Sequence, residues 1–249
     1  MKIIGVIPAR YKSSRFPGKP LADICGKPMI WWVYNQCKKV EDFDAVYVAT
    51  DDDKIFDTCK TLGIEVIMTS ESHKTGTDRL GEVAQLVDAD FYINVQGDEP
   101  LIEPATIKKI IEYKKANPNI EVINSMTLLN DDEIVEKNTI VKVVSADNGE
   151  LIYLSRSPVP YPKNGQKIDY YKHLGLYGLS REALLFYSQT PRSKIEQIED
   201  IEMLRFLENG YTIKIVEVDS STIGVDLECD IDRVEAAVKQ RGIIPGVNF

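Results

Sequence analysis

Short apolar runs alternate with amphipathic stretches through the first half of the chain. Lys2–Pro8, apolar after its first residue, predicts a buried strand, and Ile30–Lys39 has helical spacing. Ala45–Ala49 predicts a second strand, closed by Thr50-Asp51-Asp52, and Asp53–Leu62 a helix stopped at Gly63. Glu65–Met68 predicts a strand, Thr77–Leu86 a helix with Thr77 as its N-cap, Phe91–Val95 a strand and Pro104–Lys115 a further helix. Trp31 and Trp32 fall within the first helix and are expected in the core.

Strands alternating with helices imply a mostly parallel sheet covered on both faces, an α/β, Rossmann-like nucleotide-binding architecture. Ligands of such sheets gather outside the carboxyl ends of the strands. The second half is less regular. Val122–Leu128, Val141–Val144, Ile152–Ser155 and Tyr211–Val218 predict strands; Arg181–Gln189, Ile198–Glu208 and Ile231–Gln240 predict helices. Pro158, Pro160 and Pro162 follow the third of those strands, so roughly residues 152–175 are expected to leave the core as an arm that docks on a partner subunit. No repeat or linker interrupts the chain, and residues 1–249 are expected to form one domain with a homodimerising arm.

Composition narrows the function. The net charge is −9, which opposes nonspecific binding to nucleic acid or to an anionic membrane. No run of about 18 apolar residues is present, and the first apolar run is too soon interrupted for a signal peptide. A cytoplasmic protein without membrane insertion is expected. The four cysteines, Cys25, Cys37, Cys59 and Cys229, form no C-x-x-C pair, and reduced thiols fit that compartment.

Against this acidic background, Arg10, Lys12, Arg15 and Lys19 fall within one short segment directly after the first strand. Ser13 and Ser14 add hydroxyls and Pro17-Gly18 favours a turn. A cationic loop at a strand's carboxyl end suits a triphosphate. It is neither a G-x-x-x-x-G-K-[ST] loop nor a G-x-G-x-x-G fingerprint.

Asp98, in Gln96-Gly97-Asp98, ends the fourth strand, where a carboxylate can hold Mg²⁺ bridging phosphate oxygens; by itself an aspartate in a turn reads the same. Asp226, in Gly224-Val225-Asp226, fits either a second metal ligand or a helix-start residue. Gly76-Thr77-Asp78-Arg79 starts a helix whose N–H groups can meet an anion or simply be capped. Arg156 lies at a strand end, as a ligand cation or a solvated one. In Lys172–Tyr177, His173, Gly175 and Tyr177 share one face if the segment is a strand.

The segments IPARYKSSRFPGKPL, GKPMI, VATDD, HKTGTDRL, INVQGDEPLI, YLSRSPVP and KHLGLYG, with the later E-x-L-R and GVD, together resemble the 3-deoxy-manno-octulosonate cytidylyltransferases, or CMP-KDO synthetases. The resemblance spans nearly the whole chain. CMP-sialic acid synthetases share the architecture and part of the first loop but are more distant. The resemblance implies transfer of CMP from CTP to the anomeric hydroxyl of an acidic 2-keto sugar, with release of pyrophosphate, for lipopolysaccharide or capsule synthesis. By it, Ala9, Arg10, Ser13, Lys19, Arg79 and Gln96 meet the nucleotide. Asp98 and Asp226 hold Mg²⁺ and, with Arg10 and Lys19, carry catalysis. Gln96, Arg156, His173, Tyr177 and Glu202 meet the sugar.

Two positions depart from the family pattern: Met203 stands where glutamine follows the glutamate, and Leu227 where threonine follows GVD. Met203 falls on the sugar side and makes a related acid the alternative substrate: an amino-substituted octulosonate, a sialic-type nonulosonate or a phosphonate. A regulator that binds nucleotide without catalysis is the alternative of another class.

Overall fold

A computed structural model of the chain describes residues 1–13, 15–129, 135–219 and 223–243. The strands are β1 (Ile3–Ala9), β2 (Asp23–Ile24), β3 (Lys27–Pro28), β4 (Ala45–Thr50), β5 (Val66–Met68), β6 (Phe91–Val95), β7 (Val122–Leu128), β8 (Lys142–Ser145), β9 (Leu151–Ser155), β10 (Tyr171–Ser180) and β11 (Ile213–Glu217). The first four helices are α1 (Met29–Lys38), α2 (Asp53–Thr61), α3 (Gly76–Leu86) and α4 (Pro104–Ala116). Among the described residues, further helices lie at Arg181–Gln189, Lys194–Glu199, Met203–Glu208 and Asp230–Gln240.

The main sheet runs β11-β7-β10-β6-β1-β4-β5. β6, β1, β4 and β5 are mutually parallel, as are β7 and β11. β10 lies between β6 and β7 and is antiparallel to both. β8 pairs with β10, and β9 with β8, beside the main path. The alternating pattern therefore reports the parallel half correctly, and the antiparallel strand at its centre is what it does not predict.

All five residues of β6, Phe-Tyr-Ile-Asn-Val, are buried, as expected of a strand covered on both faces. One face packs Ile7, Ile30, Trp32, Ile55, Ile107 and Val234; the other packs Val6, Leu80, Val83, Leu184, Tyr187 and Phe206. Trp32 is fully buried and donates its indole N–H to the Ile24 carbonyl at 2.9 Å. Burial of each such large apolar side chain contributes roughly 1.5–3 kcal/mol.

Two predicted boundaries are corrected. The N-cap of α3 is Thr75, not Thr77: its hydroxyl accepts the Asp78 N–H, and the Asp78 carboxylate accepts the Thr75 N–H. Asp78 at the third helical position completes that capping box, which a cap two residues later would forgo. The predicted helix Ile198–Glu208 is broken at Asp200, which takes the left-handed conformation at φ 52°. Between β9 and β10, residues 156–170 hold no helix or strand, and Tyr161 there is 82% exposed.

Candidate active site

The carboxyl ends of β1, β4 and β6 reach the same edge of the sheet, because Ala9 is in register with Thr50 and Val6 with Asn94. The cationic loop leaves β1 here. It closes where Gly18, at φ 73°, donates its N–H to the Tyr11 carbonyl at 2.8 Å. Ser13 accepts the Phe16 N–H through its hydroxyl, while Ser14 lies outside the described residues. Lys19 starts a short 3₁₀ turn, Lys19–Leu21, that aims its ammonium back at the sheet.

That ammonium joins three distant segments. Lys19 Nζ donates to Asp98 Oδ2 at 2.7 Å and to the Val225 carbonyl at 2.9 Å, and the Val225 N–H bonds the Asp98 carbonyl. Asp226, the next residue, pairs with Arg15 at 3.1 Å. Both acidic residues singled out in the sequence therefore meet the β1 loop. Gly97 permits this closeness: a Cβ there would lie 2.9 Å from the Pro8 carbonyl oxygen.

Two hollows adjoin across Pro8, Ala9, Arg10 and Gln96. One, of about 170 Å³, is completed by Ser13, Lys19 and Asp98. The other, of about 200 Å³, is completed by His73, Gly76, Arg79, Asp200 and Glu202. Arg10 is exposed between them. The first hollow carries cations and carboxylates suited to phosphates and a divalent ion. Asp98 and Asp226 offer hard oxygen donors from adjoining segments, and the described residues contain no cluster of three or more metal-ligating side chains. That set fits Mg²⁺, which takes one or two carboxylates and completes its shell with phosphate and water.

The start of α3 does not face an open anion site. Its N–H groups are taken by the protein's own Glu202, which accepts from Thr77 N at 2.9 Å and Gly76 N at 3.3 Å. Burial raises the Glu202 carboxyl above its ordinary pKa, although the Thr77 and Gly76 bonds oppose that shift. Arg79 lines the hollow but is 4% exposed, its guanidinium bonded to Asp51 at 3.0 Å and to the Thr69 hydroxyl. It shapes the wall more than it offers a free charge.

On the β10 side, His173 and Tyr177 lie with ring centroids 5.4 Å apart. Their shared face does not come from strict alternation, since the register of β10 shifts between Leu174 and Tyr177. His173 Nε2 is buried without a hydrogen-bond partner among the described residues. Burial, with Arg156 nearby, lowers the His173 pKa to about 4, so the ring is a neutral polar group at pH 7. Gln96 packs on Gly175, where a Cβ would fall 2.1 Å from Gln96 Cγ. Arg156 is half-buried and donates to the carbonyls of Glu199 at 2.6 Å, Asn138 at 3.0 Å and Asp200 at 3.1 Å.

Met203 does not border either hollow. It is fully buried, in the core cluster that holds Leu184, Leu204 and Phe206. The break at Asp200 is the reason: it starts a new helix at Met203, leaving Glu202 at the hollow and Met203 beneath it. Leu227 is 47% exposed.

Sequence reading missed the buried Arg205. It makes a two-bond pair with Glu196 at 2.8 and 2.7 Å, bonds Asp78 at 2.9 Å and stacks on Tyr187. The E-x-L-R segment contains this arginine, but its partners are remote in sequence. Arg205 fixes the Asp78 cap and hence the α3 start that Glu202 occupies.

The cytidylyltransferase family model matches residues 4–215. A 3-deoxy-manno-octulosonate cytidylyltransferase of Fusobacterium nucleatum is 44% identical, over 98% of this chain and 99% of that one. One from Escherichia coli is 43% identical, over 96% of this chain and 97% of its own. A solved CMP:2-keto-3-deoxy-manno-octonic acid synthetase complexed with CTP superposes with a TM-score of 0.92 at 42% identity, covering 97% of this chain and all of that one. With the β1 loop, the Gln96–Asp98 turn and the Gly224–Asp226 segment meeting at one sheet edge, the chain belongs to the 3-deoxy-manno-octulosonate cytidylyltransferase family.

Proposed function

We propose that the protein transfers CMP from CTP to the anomeric hydroxyl of 3-deoxy-manno-octulosonate and releases pyrophosphate. The observation that carries this reading is the convergence of Lys19, Asp98 and Val225-Asp226 beside Arg10, at a hollow that adjoins the one lined by Gln96, Asp200 and Glu202. Arg10, Ser13 and Lys19 bind the triphosphate, and Arg10 and Lys19 offset the charge that builds on departing pyrophosphate. Ala9 and Gln96 line the nucleotide's path, with Arg79 behind them. Tyr177, His173, Gln96 and Glu202 orient the sugar, Arg156 supports that wall, and the hydroxyl attacks the α-phosphorus in line.

Asp98 and Asp226 would hold Mg²⁺, which when bound lowers the attacking hydroxyl's pKa and neutralises phosphate charge. Lys19 and Arg15 pair with the same two carboxylates. Positioning and charge compensation suffice without a covalent enzyme intermediate. Burial of Met203 in the core removes the ground for favouring another acidic sugar.

A homodimer joined through residues 152–175 is part of this reading: Ile152 and Tyr161 present 56% and 82% of their surface. Among the described residues no helix is long and apolar enough to cross a membrane. The enzyme would act in the cytoplasm and feed lipopolysaccharide or capsule synthesis. Pyrophosphate release with CTP, Mg²⁺ and a panel of keto-acid sugars tests the activity. Release with 3-deoxy-manno-octulosonate is expected, and none with any sugar refutes it. Light scattering at micromolar concentration tests the dimer, which a monomer mass would overturn.

A further inference from the structure

Lys142 has no role in the reaction set out above, yet it is fully buried. It lies on β8, where its ammonium donates to the carbonyls of Lys137 at 3.0 Å, Ile140 at 2.7 Å and Arg156 at 2.5 Å. Three donors meet three acceptors, so the charged form is fully used and none of its protons is left for a substrate. Taking an ammonium out of water is costly, and here its three bonds offset that cost.

What it holds is the far wall of the cleft. The carbonyls come from two segments, 137–140 and the end of β9, and Arg156 ties the same two together through Asn138. The Arg156 side chain then grips the carbonyls of Glu199 and Asp200, while the Glu199 carboxylate accepts the Arg156 N–H at 2.9 Å and the Ser155 hydroxyl at 2.8 Å. This is the corner at which Asp200 turns left-handed and delivers Asp200 and Glu202 to the cleft. Val141, the residue just before β8, accepts the backbone N–H of His173 at 2.9 Å through its carbonyl. Arg156, His173 and the 199–202 corner thus all refer back to Val141 and Lys142, where the chain enters β8. The phosphate side, Arg10 to Lys19 with Asp98, is built from β1, β6 and the 225–226 segment and makes no bond to Lys142 among the described residues.

We propose that Lys142 is a positioning residue for the acidic-sugar wall: it fixes Arg156 and, through Arg156, the Glu199–Glu202 corner, without touching substrate. The inference rests on the assignment of that wall to the sugar. Its signature is one-sided, because a defect there leaves the triphosphate side intact.

Lys142→Met keeps the length of the side chain and removes all three donors. With the purified full chain, the KM for 3-deoxy-manno-octulosonate at saturating CTP is expected to rise about tenfold, since small misplacements of positioning groups have effects of this size or more. The KM for CTP, and CTP binding by calorimetry, are expected to stay within about twofold. Glu199→Gln loosens the same corner from its other side, and the same split in a smaller degree is expected; it decides the matter alone if Lys142→Met does not fold. Equal rises in both KM values, or unchanged values with only a lower melting temperature, would overturn the proposal and leave Lys142 a general stabiliser. The wild type separates the two levels: if it releases no pyrophosphate with this sugar, the proposed activity falls and the inference with it. If it does, and neither variant shows the split, the activity stands and the role of Lys142 is refuted.

Discussion

Replacing Lys19 with methionine separates its part in folding from its part in binding. The ammonium bonds the Asp98 carboxylate at 2.7 Å and the Val225 carbonyl at 2.9 Å. Lys19→Met strands both acceptors. Two lost bonds to a charged group would cost about 3–6 kcal/mol if both acceptors were sealed from water. The Asp98 side chain is 33% exposed, however, so solvent takes over part of the lost interaction. A net cost of about 2 kcal/mol is expected, which for a domain of this size lowers Tm by roughly 4–8 °C. Binding changes separately: loss of a charge-assisted bond to phosphate weakens CTP binding by about 1.5–3 kcal/mol, or roughly 10- to 150-fold. The double variant Lys19→Met with Asp98→Asn distinguishes the two effects, because the neutral amide no longer needs a cation. It is expected to recover about 1 kcal/mol of stability and no activity. Thermal unfolding and CTP calorimetry on the wild type, both single variants and the double variant complete the cycle. Wild-type Tm and wild-type CTP affinity in Lys19→Met would return the β1 loop to a solvated turn and refute the convergence on which the active-site reading depends.

Three further outcomes are expected. His173 is neutral in the native protein, with its pKa lowered to about 4 against 6.5 in the unfolded chain, so protonation favours unfolding. The resulting stabilisation, about 3 kcal/mol, is present above pH 6.5 and lost as pH falls through 4; urea titrations should show this segment of pH dependence in the wild type and not in His173→Gln. Arg15→Ala breaks an ion pair whose side chains are 58% and 56% exposed, so stability should change by no more than about 0.5 kcal/mol. Mg²⁺ binding without nucleotide should tighten as Asp226 loses its competing cation, and unchanged calorimetry would separate Asp226 from the metal. Met203→Gln should destabilise by about 1–3 kcal/mol by burying an unpaired amide, with the ratio of kcat/KM values between acidic sugars unmoved; a shift in that ratio would restore Met203 to the pocket.

What the sequence reveals here is local, and what it hides is mostly partnership. The β1 loop is legible because four cations in an acidic chain follow an apolar strand, and the strand's end is where such sheets hold ligands. The place of β10 is not legible: its neighbours β6 and β7 are fixed by long-range pairing, and a register shift disguises its alternation. Asp200 carries no turn signal of the glycine or proline kind, so Ile198–Glu208 reads as one helix and puts Met203 on the wrong surface. Thr75 and Thr77 are equally good caps by residue type, and only Asp78 at the right spacing decides between them.

The cations illustrate the same division and explain how an acidic chain can hold a triphosphate. By type and position Arg79, Arg156 and Arg10 are equivalent candidates. Folding assigns Arg79 to Asp51, and Arg156 to three carbonyls, while Lys142 and Arg205 are buried altogether. These four hold walls. Arg10 remains exposed, and among the described residues it carries no hydrogen bond or ion pair. Lys19 is paired, but with a carboxylate that an arriving cation would occupy in its place. Positive potential for a phosphate chain is thus concentrated in the β1 loop and rises as the carboxylates beside it take up a divalent ion. The net charge of −9 over the whole chain discourages polyanions that lack a matching cation and a shape that fits this edge. A preference for a small anion over nucleic acid is what this placement of the free cations leads one to expect, and a count of charges does not contain it.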